Sequence, residues 1–345
     1  MNPKIRFLPI IFLLSASCFC SCNIVSGDKD PFLICKASEY DCDYQHQIPG
    51  IITVTKGSSR KHYTLTEKGM ERIKIKEGEP LAFDRKSKVA LVKEFTDSSI
   101  DIFTVNTDSG ERISSKISLK PKSIKNENGK PMLSIPTLLG SCLQNDGTII
   151  LLLNFEFADL GIKSESRDFL YVYEKGDRKK LKKYPFLQEN RQKTAGQDDF
   201  SSEDLHNIQC VGSSIYVFSE KDYDESMYYS KYYPQPNWFL NKIILDTEKI
   251  EANIENLALI AYDDVRFNNY SEKENAVYTV MHNSDKTTEL RIIRLNDGYE
   301  IPDEPIEKTD GEFLFSETTE GKMLVFFVKN RTNPDEEERL ELIRP

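Results

Sequence analysis

The sequence predicts an all-β chain, a β-propeller of five to six four-stranded blades. Three observations carry that prediction. Apolar residues alternate or run in short blocks of strand length, as half-buried and fully buried strands require. Asp, Asn, Gly and Lys separate the blocks, and Asp, Asn and Gly fold back on their own backbone or accept positive φ. The four-strand order recurs, with onsets near Ala82, Leu139, Asn207, Val265 and Phe313, spaced 57, 68, 58 and 48 residues apart. A sheet so small cannot bury both faces alone and must lean on its neighbours. The competing architecture is an α+β chain with an open antiparallel sheet. Ile250, Ile254, Leu257 and Ala261 have helical spacing, and Asn333-Pro334-Asp335-Glu336-Glu337 reads as a helix start.

Three segments follow in chain order. Residues 1–21 read as a signal peptide: Lys4 and Arg6 precede the apolar run Phe7 to Leu14, and small residues Ser15, Ala16 and Ser17 follow. The run falls well short of the roughly 20 residues that span a bilayer. The segment ends in Phe19-Cys20-Ser21-Cys22. It resembles the lipobox of bacterial lipoproteins, which implies lipidation at Cys22 and a membrane anchor without a transmembrane helix. Cys18 and Cys20 fit that pattern less well. Residues 22–50 are polar and lack a sustained period, which reads as a lipidated N-terminus and tether.

The propeller is expected over 51–345. Its first complete repeat pairs Leu81-Ala82-Phe83 with Val89 to Val92, then Ile100 to Val105 with Ile113 to Leu119. The order returns at Ser141 to Leu143 with Ile149 to Leu153, then Phe169 to Tyr173 with Leu181 to Phe186. Ile208 to Val211, Val265 to Phe267 and Phe313 to Phe315 open three further copies. The last copy has three strands, ending in Leu340 to Ile343, and N-terminal strands at Ile51–Val54, His62–Leu65 and Arg72–Ile75 would finish the ring. The body resembles NHL-like and quinoprotein-like propellers in architecture alone. It has no WD dipeptide, kelch double glycine or tryptophan docking motif.

Charge narrows the function. Of 345 residues 46 are Lys or Arg and 56 are Asp or Glu, a net charge of −10. With a pI near 5.2, the chain lacks the basic footprint that nucleic acid demands. A mean hydropathy of −0.51 excludes a multi-span helical membrane protein. Beyond the signal, Cys35, Cys42, Cys142 and Cys210 form an even set. In an oxidising compartment they allow two disulfides in three pairings, with free thiols as the alternative. His46, His62, His206 and His282 are scattered and no CxxC occurs, so no metal site is expected. No phosphate loop, dinucleotide fingerprint or nucleophile elbow is present, and no cofactor is expected.

Two kinds of candidate residue remain. The segment 222–239 gathers Tyr228, Tyr229, Tyr232, Tyr233 and Trp238 around Pro234 and Pro236. Such rings suit recognition of proteins or sugars, and the alternative is a loop folded over a blade. Asp84, His206 and Asp264 stand at comparable places in three repeats, next to strands that would face a propeller channel. They are the candidates for acid–base chemistry. The function expected is a lipid-anchored binding module of the bacterial cell envelope, periplasmic or surface-exposed, for a protein or glycan, more a binder than an enzyme. The alternative is an envelope glycan hydrolase or lyase using channel carboxylates.

Overall fold

The alternating segments do form strands. The computed structural model describes residues 30–37, 39, 41–125, 131–159, 164–186, 203–221, 238–261, 265–282, 287–295, 305–329, 333 and 336–343. Strand β1 (Leu33–Cys35) comes first. Blade 1 holds β2 (Cys42–Ile48), β3 (Ile51–Lys56), β4 (Ser59–Thr66) and β5 (Gly69–Ile73). Blade 2 holds β6 (Glu79–Asp84), β7 (Val89–Phe95), β8 (Ile100–Asn106) and β9 (Ile117–Leu119). In blade 3, β10 (Lys122–Lys125) adds a fifth strand to β11 (Pro131–Leu143), β12 (Ile149–Asp159), β13 (Ser164–Tyr173) and β14 (Leu181–Pro185). Blade 4 is β15 (Glu203–Val211), β16 (Ser214–Lys221), β17 (Trp238–Asp246) and β18 (Glu251–Ala261). Blade 5 is β19 (Val265–Ser271), β20 (Ala276–His282), β21 (Thr288–Arg294) and β22 (Glu307–Thr309). Blade 6 joins β23 (Gly311–Glu317), β24 (Met323–Lys329) and β25 (Glu338–Ile343) to β1 from the other end of the chain.

The core is six clusters, one at each seam between blades. The second strand of a blade is buried on both faces, so successive residues serve opposite seams. In β12, Ile150 and Leu152 pack towards blade 4, while Ile149, Leu151 and Leu153 pack towards blade 2. In β24, Leu324, Phe326 and Val328 face blade 1, and Met323 and Val325 face blade 5. Tyr216 and Phe218 of β16 meet Tyr270, Val277 and Ile293 of blade 5. Ile51, Ile73 and Ile75 meet Ala90, Val92, Phe103 and Val105 between blades 1 and 2. This double burial is why those strands read as continuous apolar runs. The six seams close a ring, so the β-propeller expected from the repeats is the fold, with six blades.

Both disulfides cross a seam. Cys35–Cys42 ties β1, the outermost strand of blade 6, to β2 of blade 1. Cys142–Cys210 ties β11 of blade 3 to β15 of blade 4. Paired cysteines belong to an oxidising, extracytoplasmic setting.

Three expectations change. Residues 33–48, read as tether, carry β1 and β2. Ile51–Val54 and its neighbours supply the sixth blade together with β2, as expected, and β1 gives blade 6 its fourth strand. The helix expected over 250–261 is strand β18, which excludes the open-sheet alternative. Its pairing with β17 slips twice, leaving Leu257 and Ile260 without partners. Each extra residue breaks the period of two and produces helix-like spacing. Where a helix start was expected at 333–337, Glu336 N donates to Asn333 O at 2.9 Å, and β25 begins at Glu338.

Candidate functional site

Strands β2, β6, β11, β15, β19 and β23 surround the axis, and each contributes to one cavity of about 550 Å³. Five of these six inner strands carry one extra residue against their partner strand. A bulge bends its strand and re-aims a side chain. Here Leu81 of β6, Leu139 of β11 and the pair Asn207–Ile208 of β15 fall at the bulges, and all four line the cavity.

The wall has two characters. Blades 2 and 3 supply Pro80, Leu81, Phe95, Pro136, Leu138 and Leu139. Leu139 is 39% exposed and Phe95 63%, so apolar surface is left facing the opening. Lys93 Nζ lies 5.1 Å from the Phe95 ring centroid and 3.3 Å from Glu79 Oε2. Blades 4 to 6 supply polar groups instead. Gln209 Nε2 donates to Asn269 Oδ1, and Gln209 Oε1 accepts from Tyr270 N at 2.9 Å. Asn269 Nδ2 reaches Met323 Sδ at 3.4 Å. These amides serve each other across two seams.

Charged groups stand around Glu317, which lines the cavity. Arg85, in the turn after β6, donates from Nη2 to Thr64 Oγ1 at 2.7 Å, to Leu65 O, and to Ser316 Oγ at 2.9 Å. It therefore fastens blade 2 to blades 1 and 6. Burial works against its charge, while Glu71 and Glu317 favour it. Glu317, the last residue of β23, lines the cavity beside it. No described residue donates a hydrogen bond to that carboxylate. The residue is exposed at the strand end; partial desolvation by the cavity wall raises its pKa, Arg85 opposes the rise, and Asp84, Glu272 and Glu274 add to it. Glu272 and Glu274 are engaged: Tyr216 Oη donates to Glu272 at 3.1 Å, and Tyr278 Oη and Met323 N donate to Glu274 at 2.8 and 3.0 Å.

Of the residues proposed from sequence, Asp84, His206 and Trp238 are described. Asp84 ends β6, and its two oxygens accept from Lys86 N at 3.0 Å and Ser87 Oγ at 2.5 Å, capping its own turn. His206 sits in β15 opposite Phe218, just before the bulge. Trp238, 8% exposed, belongs to the core between blades 4 and 5 with Tyr216, Leu240 and Tyr270. Cys22, Tyr228, Tyr229, Tyr232, Tyr233 and Asp264 lie outside the described residues. The sequence reading passed over Glu317, Arg85 and Leu139. Glu317 is offset in the pattern, since Ser316 separates it from Phe313-Leu314-Phe315 whereas Asp84 directly follows Leu81-Ala82-Phe83.

No protein-family model matches the chain, and no curated protein matches it. Solved structures share the fold at low identity. TolB from Acinetobacter baumannii is 13% identical with a TM-score of 0.39 over 90% of this chain and 62% of its own. The chain thus spans less than two thirds of TolB's length. A polysaccharide lyase, an ulvan lyase, is 11% identical with a TM-score of 0.44 over 88% of this chain and 78% of its own. The endo-arabinase from Bacteroides thetaiotaomicron is 10% identical with a TM-score of 0.35, over 79% and 96%.

Proposed function

We propose that this protein is a binding module of the bacterial cell envelope, held at the membrane by lipid on Cys22, and that its axial cavity recognises a protein or glycan. One observation carries the reading: six inner strands converge on a 550 Å³ cavity that leaves Leu139 and other apolar side chains exposed and a carboxylate without a hydrogen-bond donor among the described residues. Pockets of this size with a few convergent polar groups are the usual form of a ligand site. The second reading, a glycan hydrolase or lyase, draws on Glu317. A carboxyl whose pKa is raised by partial desolvation suits a general acid. Hydrolases generally need a second carboxylate about 5–9.5 Å away, and Asp84, the nearest candidate in sequence pattern, is occupied by its turn.

Two experiments test the proposal. A photo-crosslinking residue at position 139, placed in the full-length protein in cells, should trap a discrete adduct, and the same residue at position 244 on the outer surface should not. Equal adducts at both positions, or none at 139, overturn the cavity as the recognition site. Replacing Cys22 with Ser should release the protein from membranes. Persistent envelope fractionation with palmitate labelling refutes the anchor.

A further inference from the structure

We propose that the cavity takes an extended polypeptide segment bearing a basic residue, its cation against Glu317 and its apolar neighbours against Leu81, Leu138 and Leu139. The proposal rests on the cavity being the recognition site and adds the class of ligand.

The apolar wall argues for a peptide. Leu81, Leu138, Leu139, Pro80 and Pro136 make most of this wall aliphatic, with Phe83 and Phe95 as its rings. The aliphatic groups match Leu, Val or Pro side chains, whose burial is favourable at about 25 cal/mol per Å². The ladder side of each inner strand is occupied by its second strand. Among the described residues no strand pairs with the other backbone edge of β6, β15, β19 or β23. Leu81 O, Tyr270 N and Phe315 O on those edges are taken by Ser141 Oγ, Gln209 Oε1 and Gly50 N, so an extended chain would pair with the remaining groups, as in strand addition. An inner strand of about seven residues is roughly 20 Å long, room for a short segment rather than a folded domain.

The charged groups around Glu317 argue for a cation. Gln209 and Asn269 spend their hydrogen bonds on one another, on Tyr270 and on Met323. Arg85 Nη2 is committed to Thr64, Leu65 and Ser316, and Lys93 is paired with Glu79. Glu317 is left as the cavity carboxylate that no described donor satisfies. The residue is exposed, and Asp84, Glu272 and Glu274 nearby disfavour its charge while Arg85 favours it. A ligand ammonium or guanidinium at that point reverses the penalty, because an opposite charge nearby favours the ionised form.

The test uses the full-length protein and three probes in calorimetric titration. They are the peptide acetyl-Ala-Leu-Ala-Leu-Lys-Ala-amide, its counterpart with Glu in place of Lys, and the neutral sugar cellotriose. The Lys peptide should bind at least about tenfold more tightly than the Glu peptide, a difference of about 1.4 kcal/mol. Glu317→Gln should weaken the Lys peptide by about the same factor and leave the Glu peptide unchanged or improved. Its melting temperature, measured alongside, separates lost binding from lost folding. Leu139→Asp should weaken both peptides. Equal affinity for the two peptides, or a Lys peptide indifferent to Glu317→Gln, overturns the basic-peptide assignment while sensitivity to Leu139→Asp preserves the cavity reading. Cellotriose binding that depends on Leu139, with no peptide binding, has the same meaning. Failure of all three probes at millimolar concentration also overturns the assignment, and the crosslink at 139 then decides the cavity separately.

Discussion

Two of the six seams carry a disulfide, and they are held by different means. Between blades 6 and 1 the backbone crosses once, from β1 to β2, and the bridge from Cys35 to Cys42 ties the same two strands across that seam. Polar contacts reinforce it. His46 Nε2 meets Phe315 O at 3.1 Å, Gly50 N donates to the same carbonyl at 2.7 Å, and Arg85 binds both blades at the axis. Tyr44 of β2 is pushed far up in pKa by burial and by its hydrogen bond to Glu312 of β23. Between blades 3 and 4 contact is close and apolar. A side chain at Gly140 would begin 2.9 Å from Ile208 Cγ2, so glycine lets the inner strands meet there. Cys142 and Cys210 lock that approach from within the cavity wall. One seam closes a ring; the other shapes a site.

Loop length separates the two bridges. Cys142–Cys210 spans 68 residues and Cys35–Cys42 spans 7. Constraint of the unfolded chain then gives about 4 kcal/mol for the first and about 2 kcal/mol for the second. Replacing each pair with alanine and comparing urea unfolding should show that order. A larger loss from the Cys35/Cys42 pair would mean that release of β1 opens the ring, and that closure, not chain entropy, dominates. The Cys142/Cys210 variant should also reduce binding at the cavity, whereas the Cys35/Cys42 variant should not while it stays folded.

The difference between the seams was only partly readable in the sequence. Double burial makes β7, β12, β16, β20 and β24 into continuous apolar runs, and those runs revealed the repeat. β1 and β2 stayed hidden: β1 is three residues long, and β2, Cys42-Asp43-Tyr44-Gln45-His46-Gln47-Ile48, mixes polar residues through an inner strand. Bulges hid β18, since two slips in its register imitate a helix. The onsets near Ala82, Leu139, Asn207 and Val265 prove to lie at or beside the inner-strand bulges. The cavity was therefore marked in sequence, although its chemistry was not. Which carboxylate caps a turn, as Asp84 does, and which faces the axis, as Glu317 does, depends on the local turn and not on residue type.

Acid should act on the closing side of the ring. Burial lowers the pKa of His46 to about 4. A ring nitrogen facing the Phe315 carbonyl must donate, which makes His46 the neutral Nε2–H tautomer. His62, whose Nδ1 lies 2.9 Å from Thr53 Oγ1, is also lowered to about 4 by burial and then by Arg60, with Glu79 opposing. In the unfolded chain both titrate near 6.5. Between about pH 6.5 and 4 the unfolded state therefore binds protons that the folded state refuses, and stability falls as pH drops, by up to about 1.4 kcal/mol per unit for each imidazole. Above that window the two groups contribute no slope, and below it both states are protonated. Urea midpoints across the window measure the slope, and His62→Gln should reduce it. Hydrogen exchange locates it: amides of β2, β3 and β4 should lose protection in acid before those of β12. A flat midpoint curve would refute the burial of the two imidazoles, and simultaneous loss across β4 and β12 would show that the seams do not open independently.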